Sequence, residues 1–371
     1  MIPDMDSQLE QARDFFMAGI SDYEAGRFEN AERNFLASLS LMPGRVSTLT
    51  NLGAARLKLG RFEDAAQVLD EALRKEPDNL EALGHRATAL AELGQAGEAL
   101  QLLDRLLSLA AGNAAAWTLR GTLLRELHRA EEAAQSYRSA LAHGADRELM
   151  AYYLAALQPG GLAGPPPATA PRHYVQSLFD GYADGFEDHL VDVLQYRAPQ
   201  MLADGLDAPG RRFDRALDLG CGTGLCGVLL RPLAGHLTGV DLSGNMVRQA
   251  KARGVYDDVV ESDIAEYLAG AGQLFDLVVA ADVFIYVGAL EAVFEGAARA
   301  IRPGGVFCFS VEREDSQVLA LRPSRRYAHS RRYVEALAAK NGFGISAMAE
   351  HPIRNDQGSP IDGLFVWLVK S

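Results

Sequence analysis

Cysteine is scarce in this chain. Cys221, Cys226 and Cys308 are the whole complement of 371 residues, too few and wrongly spaced for a zinc site or a disulfide framework, so they read as small, reduced, buried residues. Basic charge is short as well: 36 Lys and Arg stand against 49 Asp and Glu, a formal net charge of −13, split as −7 before residue 158 and −6 from there on. A phosphate polyanion is gripped through clustered cations, so neither half is built for nucleic acid. Arg325, Arg326, Arg331 and Arg332 come nearest to such a cluster and read as a solvated loop and helix start. Long apolar runs are missing too. Residues Met1 to Glu10 are acidic and lack the basic and apolar stretches of a secretory signal, while the apolar run Leu277 to Leu290 is interrupted by Asp282 and too short to span a bilayer. These absences point to a soluble cytoplasmic protein with no membrane and no nucleic-acid partner.

What is present is ordinary globular material, 48% hydrophobic and 23% charged, in a chain long enough for two cores. The first half is periodic. GRFENAERNFLASL from Gly26, GRFEDAAQVLDEAL from Gly60, GQAGEALQLLDRLL from Gly94 and HRAEEAAQSYRSAL from His128 recur every 34 residues. Within each unit Ala31, Ala65, Ala99 and Ala133 keep phase, a small residue that lets two helices cross closely, and Phe35, Leu69, Leu103 and Tyr137 follow on the same helical face. Pro43 and Pro77 end their helices, which proline cannot continue. The unit resembles the tetratricopeptide repeat, four copies over roughly residues 12 to 147 with a terminal helix near Arg147 to Gln158. The resemblance implies a domain over residues 1 to 157 that winds into a superhelix and takes a protein or peptide ligand on its concave face, where Glu81, Thr88, Thr118 and Thr122 are among the expected lining.

Residues 158 to 172 begin with QPGGLAGPPPATAP, an extended and stiff composition that marks a linker. Beyond it, from residue 173 to 371, short strand-like runs alternate with helical patterns. Strands are expected near Ala216 to Leu219, Leu237 to Asp241, Val259 to Asp263, Phe275 to Ala281, Val306 to Val311, Gly344 to Glu350 and Leu364 to Val369. The alternation predicts a Rossmann-like, seven-stranded α/β domain with helices on both faces. Its last two strands, with no helix between them, form an antiparallel pair.

The centre of the second half is ALDLGCGTGLCG, residues 216 to 227, a strand running into a glycine-rich turn and a helix. Ligands of doubly wound sheets bind beyond the carboxyl ends of the strands, where Gly220, Gly222 and Gly224 admit a close approach to the backbone. Asp218 precedes that turn, Asp241 closes the next strand where a carboxylate can accept both hydroxyls of a ribose, and Asp263 closes the third, placed to accept from an adenine amino group. Gly222, Gly224 and Gly227 also satisfy the G-x-G-x-x-G pattern of dinucleotide-binding proteins, so a nicotinamide-dependent oxidoreductase stays as an alternative. The early Asp218, the third acidic strand end and the closing antiparallel pair weigh against it.

Five motifs in order, LDLGCGTG, GVDLSGNM, ESDI, FDLVVAADVF and AIRPGGVF, resemble class I S-adenosylmethionine-dependent methyltransferases across nearly all of residues 173 to 371. The repeats joined to HYVQSLFDGYADGFEDHL and RYAHS resemble bacterial repeat-containing methyltransferases. The resemblance implies S-adenosylmethionine as cofactor. Gly220, Cys221, Gly222 and Gly224 would lie under its methionine part, with Asp218 orienting the loop or the ammonium group; Asp241 would hold the ribose, Leu242 and Met246 would lie against the adenine, and Asp263 with Ile264 would fix its edge. Ala281 and Tyr182 complete the expected cofactor set, Tyr182 together with Tyr174 and Phe186 as an aromatic cover. Asp282, Tyr286 and His329 are the candidate catalytic groups, His329 for its pKa range. The fourth strand ends in ADVF, without the Asn/Asp-Pro-Pro-aromatic grip on an exocyclic nitrogen, no Pro-Cys nucleophile occurs, and only Asp282 is at hand for a catechol-type magnesium site, so no metal is expected. The acceptor is an unidentified small molecule or protein. A binding module that senses the cofactor without turning it over is the other reading.

Overall fold

The computed structural model describes residues 5–157, 166–182, 196–206, 211–356 and 358–371, without the side chains of residues 181, 182 and 356. The chain divides into two compact units, Met1–Met150 and Ala151–Ser371, a division that falls inside helix Arg147–Leu157, earlier than the linker expected from composition. Among the described residues no helix is long and apolar enough to cross a membrane.

The first unit is a run of antiparallel helix pairs: Met5–Glu24 with Phe28–Leu41, Val46–Lys58 with Phe62–Lys75, Leu80–Glu92 with Ala96–Leu109, and Ala114–Glu126 with Ala130–Ala142. The 34-residue phase reappears at three physical levels. A Cβ on Gly19, Gly53 or Gly121 would lie 2.5 Å from Phe35, Leu69 or Tyr137 respectively, so the small residue of each first helix makes room for the large residue sixteen positions on. Asp70 pairs with Arg86 at 3.0 Å and Asp104 with Arg120 at 2.8 Å, the same ion pair one repeat apart. The turn within each pair holds one residue in the left-handed region, Gly26, Gly60, Gly94 and His128, with φ of 73°, 70°, 72° and 57°. Only the fourth carries a Cβ there.

The second unit is built on one mixed sheet. Strands β1 (Phe213–Leu219), β2 (Ala234–Asp241), β3 (Asp258–Glu261), β4 (Phe275–Ala280) and β5 (Ile301–Glu314) run parallel in the order β3-β2-β1-β4-β5. β9 (Ser359–Lys370) inserts antiparallel beside β5, and β8 (Phe343–Asp356) pairs antiparallel outside it, the expected closing pair. Two short strands were not expected: β6 (Leu319–Leu321) and β7 (Tyr327–Ser330). Glu312 is paired with Gly363 of β9 on one side and Ala328 of β7 on the other, so β7 continues the edge of β5 past the tip of β4. The sheet therefore has nine strands among the described residues, not seven, and Arg326 leads into a strand instead of an open loop.

Alternate residues of the central strands enter two cores. Leu217, Val278, Phe307 and Phe309 pack under helices Ile264–Gly270, Glu291–Ala300 and Arg331–Lys340; Ala216, Leu277, Val279 and Cys308 pack with Phe365 and Trp367 under helices Ala198–Asp204 and Leu225–Leu230. Burial on both faces is why these strands read as continuous apolar runs. The described end of the proline-rich segment is not a free spacer. Ala170 donates to the Tyr286 carbonyl at 3.0 Å, Ala289 to that of Ala168 at 2.7 Å, and Tyr327 to that of Pro167 at 2.7 Å, which fixes residues 166–171 against the turn after β4.

Because the other three repeats have glycine at its position, His128→Gly relieves a left-handed Cβ and is expected to stabilise the repeat unit by about 1 kcal/mol. Thermal unfolding checks this, and a lower midpoint would mean that the imidazole contributes more than its backbone costs.

Candidate functional site

The parallel strands β1, β2 and β4 end along one edge, and the loop after β1 crosses that edge. Its backbone is left-handed at Gly220, Gly222 and Gly224, with φ of 65°, 53° and 98°. The three glycines do different things. A Cβ on Gly220 would lie 2.4 Å from Val283, and one on Gly224 would lie 2.9 Å from Arg253 and 3.2 Å from Tyr256. Only Gly222 faces open space, with no atom within 4 Å of where its Cβ would stand. A Cβ at Gly220 or Gly224 would thus strike the protein itself, while one at Gly222 would stand in open space.

Asp241, at the tip of β2, ties this loop down. One carboxylate oxygen accepts from Gly222 N–H at 2.9 Å and the other from Ser243 N–H at 2.9 Å, while Cys221 N–H donates to the Val240 carbonyl at 3.0 Å. Burial pushes the Asp241 carboxyl up in pKa, and the N–H donors pull it back toward ionisation. Leu242 N–H bears on the same carboxylate, so of the about four acceptor positions a carboxylate offers, about one stays open to a ribose hydroxyl. Asp218 lies deeper, 1% exposed; its Oδ2 accepts from the Tyr256 hydroxyl at 2.7 Å and its Oδ1 has no partner. Burial raises its pKa to about 7.

Around β2's exit, Leu242 accepts through its carbonyl from Gln176 at 3.2 Å, and the Ser243 hydroxyl donates to Asp180 at 2.6 Å while capping Met246 N–H. Met246 is 1% exposed, part of the floor. Helix Arg172–Tyr182 is therefore moored over the site by Gln176 and Asp180, two residues of the HYVQSLFDGYADGFEDHL segment that carried no expected role in the site. The side chain of Tyr182 and the whole of Phe186 lie outside the described residues. Tyr174 packs against Tyr152 and Tyr153, with ring centroids 5.5 and 5.8 Å away.

Asp263 needs a correction of setting. β3 stops at Glu261, and Asp263 is the N-cap of helix Ile264–Gly270, accepting from Ala265 and Glu266 N–H at 2.9 and 3.1 Å, with Arg172 3.7 Å from its other oxygen. Ile264 is the buried first residue of that helix.

Beyond β4 the three candidate catalytic groups have different surroundings. Ala281 accepts through its carbonyl from the Tyr196 hydroxyl at 3.1 Å. Asp282, left-handed at φ 57°, is ion-paired with Arg354, which also pairs with Glu312; Arg322 holds the second Glu312 oxygen at 2.9 Å. Arg354 and Glu312 are 3% and 1% exposed, and sequence reasoning missed the network because Arg354 stands 42 positions from Glu312 and 72 from Asp282. Tyr286 ends the short turn Phe284–Tyr286, stacks edge-on with Phe179 at 5.5 Å, and burial pushes its phenol to about 12. His329 sits in β7, fully buried, with Nε2 at 2.8 and 3.1 Å from the carbonyls of Gly288 and Val287 and its ring stacked on Tyr333. Facing two carbonyls, Nε2 must carry the proton, and burial drives the imidazole down to about 4. It is a neutral donor that fastens the turn after β4.

The comparisons with known proteins match the two units separately, each over part of its length. Residues 217–309 match the family described as methyltransferase domain, and residues 22–89 and 56–123 match the tetratricopeptide repeat. The chain is 33% identical over 145 residues to a malonyl-[acyl-carrier protein] O-methyltransferase of Enterobacter lignolyticus (strain SCF1), which covers 39% of this chain and 56% of that protein. It is 38% identical over 95 residues to a ubiquinone biosynthesis O-methyltransferase of Methylobacterium sp. (strain 4-46), covering 24% and 38%. The chain thus spans about half the length, or less, of the curated relatives it matches. Among solved structures, magnesium protoporphyrin IX methyltransferase from Synechocystis PCC 6803 with bound SAH aligns at 17% identity and a TM-score of 0.44, over 54% of this chain and 100% of that one.

A carboxyl whose folded pKa exceeds its unfolded value takes up protons on folding, so Asp218 weakens the apoprotein as pH rises from the ordinary aspartate value of 3.8 to about 7. Asp218→Asn removes that dependence. Its stability relative to the parent is expected to grow across that interval by up to about 4 kcal/mol and to level off above it. Denaturant titrations from acid to mildly alkaline pH would show it, and parallel stability curves would refute the buried charge.

Proposed function

We propose that the second unit binds S-adenosylmethionine over the loop after β1 and transfers its methyl group, by in-line displacement, to an oxygen of an acceptor brought in beyond the tip of β4. The observation that carries this is the open cradle at Gly222, whose N–H is held by the same Asp241 carboxylate that retains acceptor capacity for a ribose. Asp218 fits as well, since the groups that bear on its buried carboxylate are a phenol, a thiol and Asp241, with no cation among them. The sulfonium supplies an activated methyl. What the chain itself must do is align and dry the acceptor, for which a base is optional.

In this reading Asp241 holds the ribose, Gly220, Cys221, Gly222 and Gly224 shape the methionine end, Leu242 and Met246 flank the adenine, Asp263 and Ile264 set its edge, and Ala281 closes the methyl side. Tyr286, protonated at every working pH, donates to the acceptor oxygen. Asp282 is a positioning residue that works through Arg354, and His329 is one that holds the turn carrying Tyr286. An oxygen acceptor is favoured by the two similar O-methyltransferases. The repeat unit recruits a protein, either the acceptor's carrier or a regulator, through a groove of about 680 Å³ lined by Glu81, His85, Thr88, Leu103, Thr118 and Leu149. Three thiols that stay free and buried suit a reducing, cytoplasmic setting.

Incubation of the full chain with radiolabelled S-adenosylmethionine and a fractionated cell extract should release S-adenosylhomocysteine and label one fraction. Binding without turnover against every fraction would turn the reading into a cofactor-sensing module. Asp241→Ala should weaken the cofactor at least tenfold, or about 1.4 kcal/mol, by calorimetry. Undiminished affinity would remove the site. Once an acceptor is found, Tyr286→Phe should lower kcat by about tenfold or more with little change in cofactor affinity; an unchanged kcat would take Tyr286 away from the acceptor.

A further inference from the structure

Three glycines from three different elements share one neighbour. A Cβ on Gly227, in helix Leu225–Leu230, would lie 2.4 Å from the Tyr256 ring; one on Gly239, in β2, would lie 3.1 Å from it; and one on Gly224, in the loop, 3.2 Å. Tyr256 follows the helix Gly244–Arg253 and its left-handed cap Gly254, and its ring fills the space that these three glycines leave. From there the hydroxyl reaches Asp218 at 2.7 Å. Gly224 and Gly227 are the last two glycines of the pattern that also reads as dinucleotide-binding. Here they are small in order to admit a tyrosine, so their presence says nothing about a pyrophosphate.

We infer that Tyr256 is a positioning residue of the cofactor site, its ring propping the loop that carries Gly222 and its hydroxyl holding Asp218 in the ionised form that a cationic ligand requires. The inference rests on the cofactor reading above and adds to it the group that sets the charge beneath the loop. Asp218 is otherwise enclosed by Cys221, Cys226, Cys308, Tyr196 and Asp241. Burial keeps those thiols and phenols protonated, so among them Asp241 is the one other charge, and it opposes ionisation of Asp218. Against both burial and that repulsion, the Tyr256 hydroxyl is the largest influence drawing Asp218 toward the carboxylate. The phenol itself is pushed well up by burial and by Asp218, so it is always the donor. Removing its oxygen and keeping its ring separates the two jobs.

The test is calorimetric binding of S-adenosylmethionine to the full chain between about pH 5.5 and 9, beside 5′-methylthioadenosine, a neutral ligand that lacks the sulfonium charge and the amino acid end. For the parent, affinity for the cation is expected to rise with pH and level off near neutrality, while the neutral ligand shows no such rise. Tyr256→Phe should move the levelling point up by about one pH unit, leaving S-adenosylmethionine about tenfold weaker at pH 7 and equal to the parent at pH 9, with the neutral ligand changed less than about twofold throughout. Titration of the ligand's own amine is common to both proteins and drops out of the comparison. Equal losses at every pH, equal losses for the neutral ligand, or no change at all would each reduce Tyr256 to a space-filler. Tyr256→Leu, which keeps bulk and removes both ring and hydroxyl, should weaken both ligands; if it weakens neither, the propping role falls. Failure of the parent to bind S-adenosylmethionine at any pH is a separate outcome that would remove the cofactor reading itself.

Discussion

The second unit depends on a hydrogen bond between neighbouring strand ends: the Asp241 carboxylate accepting from Gly222 N–H at 2.9 Å. A loop that must turn left-handed three times in five residues exposes backbone donors with no ladder to join. Placing a carboxylate at the adjacent strand tip satisfies one of them and holds the loop flat against the edge of the sheet. The second oxygen, taken by Ser243 N–H at 2.9 Å, does the same for the start of the next helix. One side chain thus fixes the exit of two strands, and the open face of Gly222 is what remains between them.

Carboxylates this deep are costly unless they are answered. The two ends of the site solve the problem differently. Past β4, Asp282 and Glu312 are ion-paired with Arg354 and Arg322, with Arg326 close by. Under the loop, the groups that bear on Asp218 are a phenol, thiols and Asp241, with no arginine among them. A site in which one charge is compensated by the protein and another is left for the ligand is arranged to favour a cation at the second place and not at the first.

Much of this was legible along the chain because it is periodic or local. The repeat phase follows from a helix pair whose contact geometry recurs, so Gly19, Gly53 and Gly121 with their partners Phe35, Leu69 and Tyr137 repeat together. The parallel strands showed as apolar runs because both faces are buried, and Asp241 stood out as the acid that closes the strand after the glycine turn. β6 and β7 escaped notice because strands of three and four residues, formed by pairing with the overhang of β5, have no pattern of their own. The same overhang buries His329 among the carbonyls of a distant turn, so a residue whose intrinsic pKa recommended it for proton transfer became a neutral donor.

The order of elements, the repeat unit, the glycine loop and the acids beside it were determined by the sequence alone, since helix and strand periodicity and the restrictions on glycine act over a few residues. Which glycine faces a ligand and which faces Tyr256, which carboxylate is paired and which is left, and what becomes of His329 were decided only in three dimensions. Each of those depends on how close two segments remote in the chain are brought, and burial and hydrogen bonding change a side chain's chemistry only at that distance.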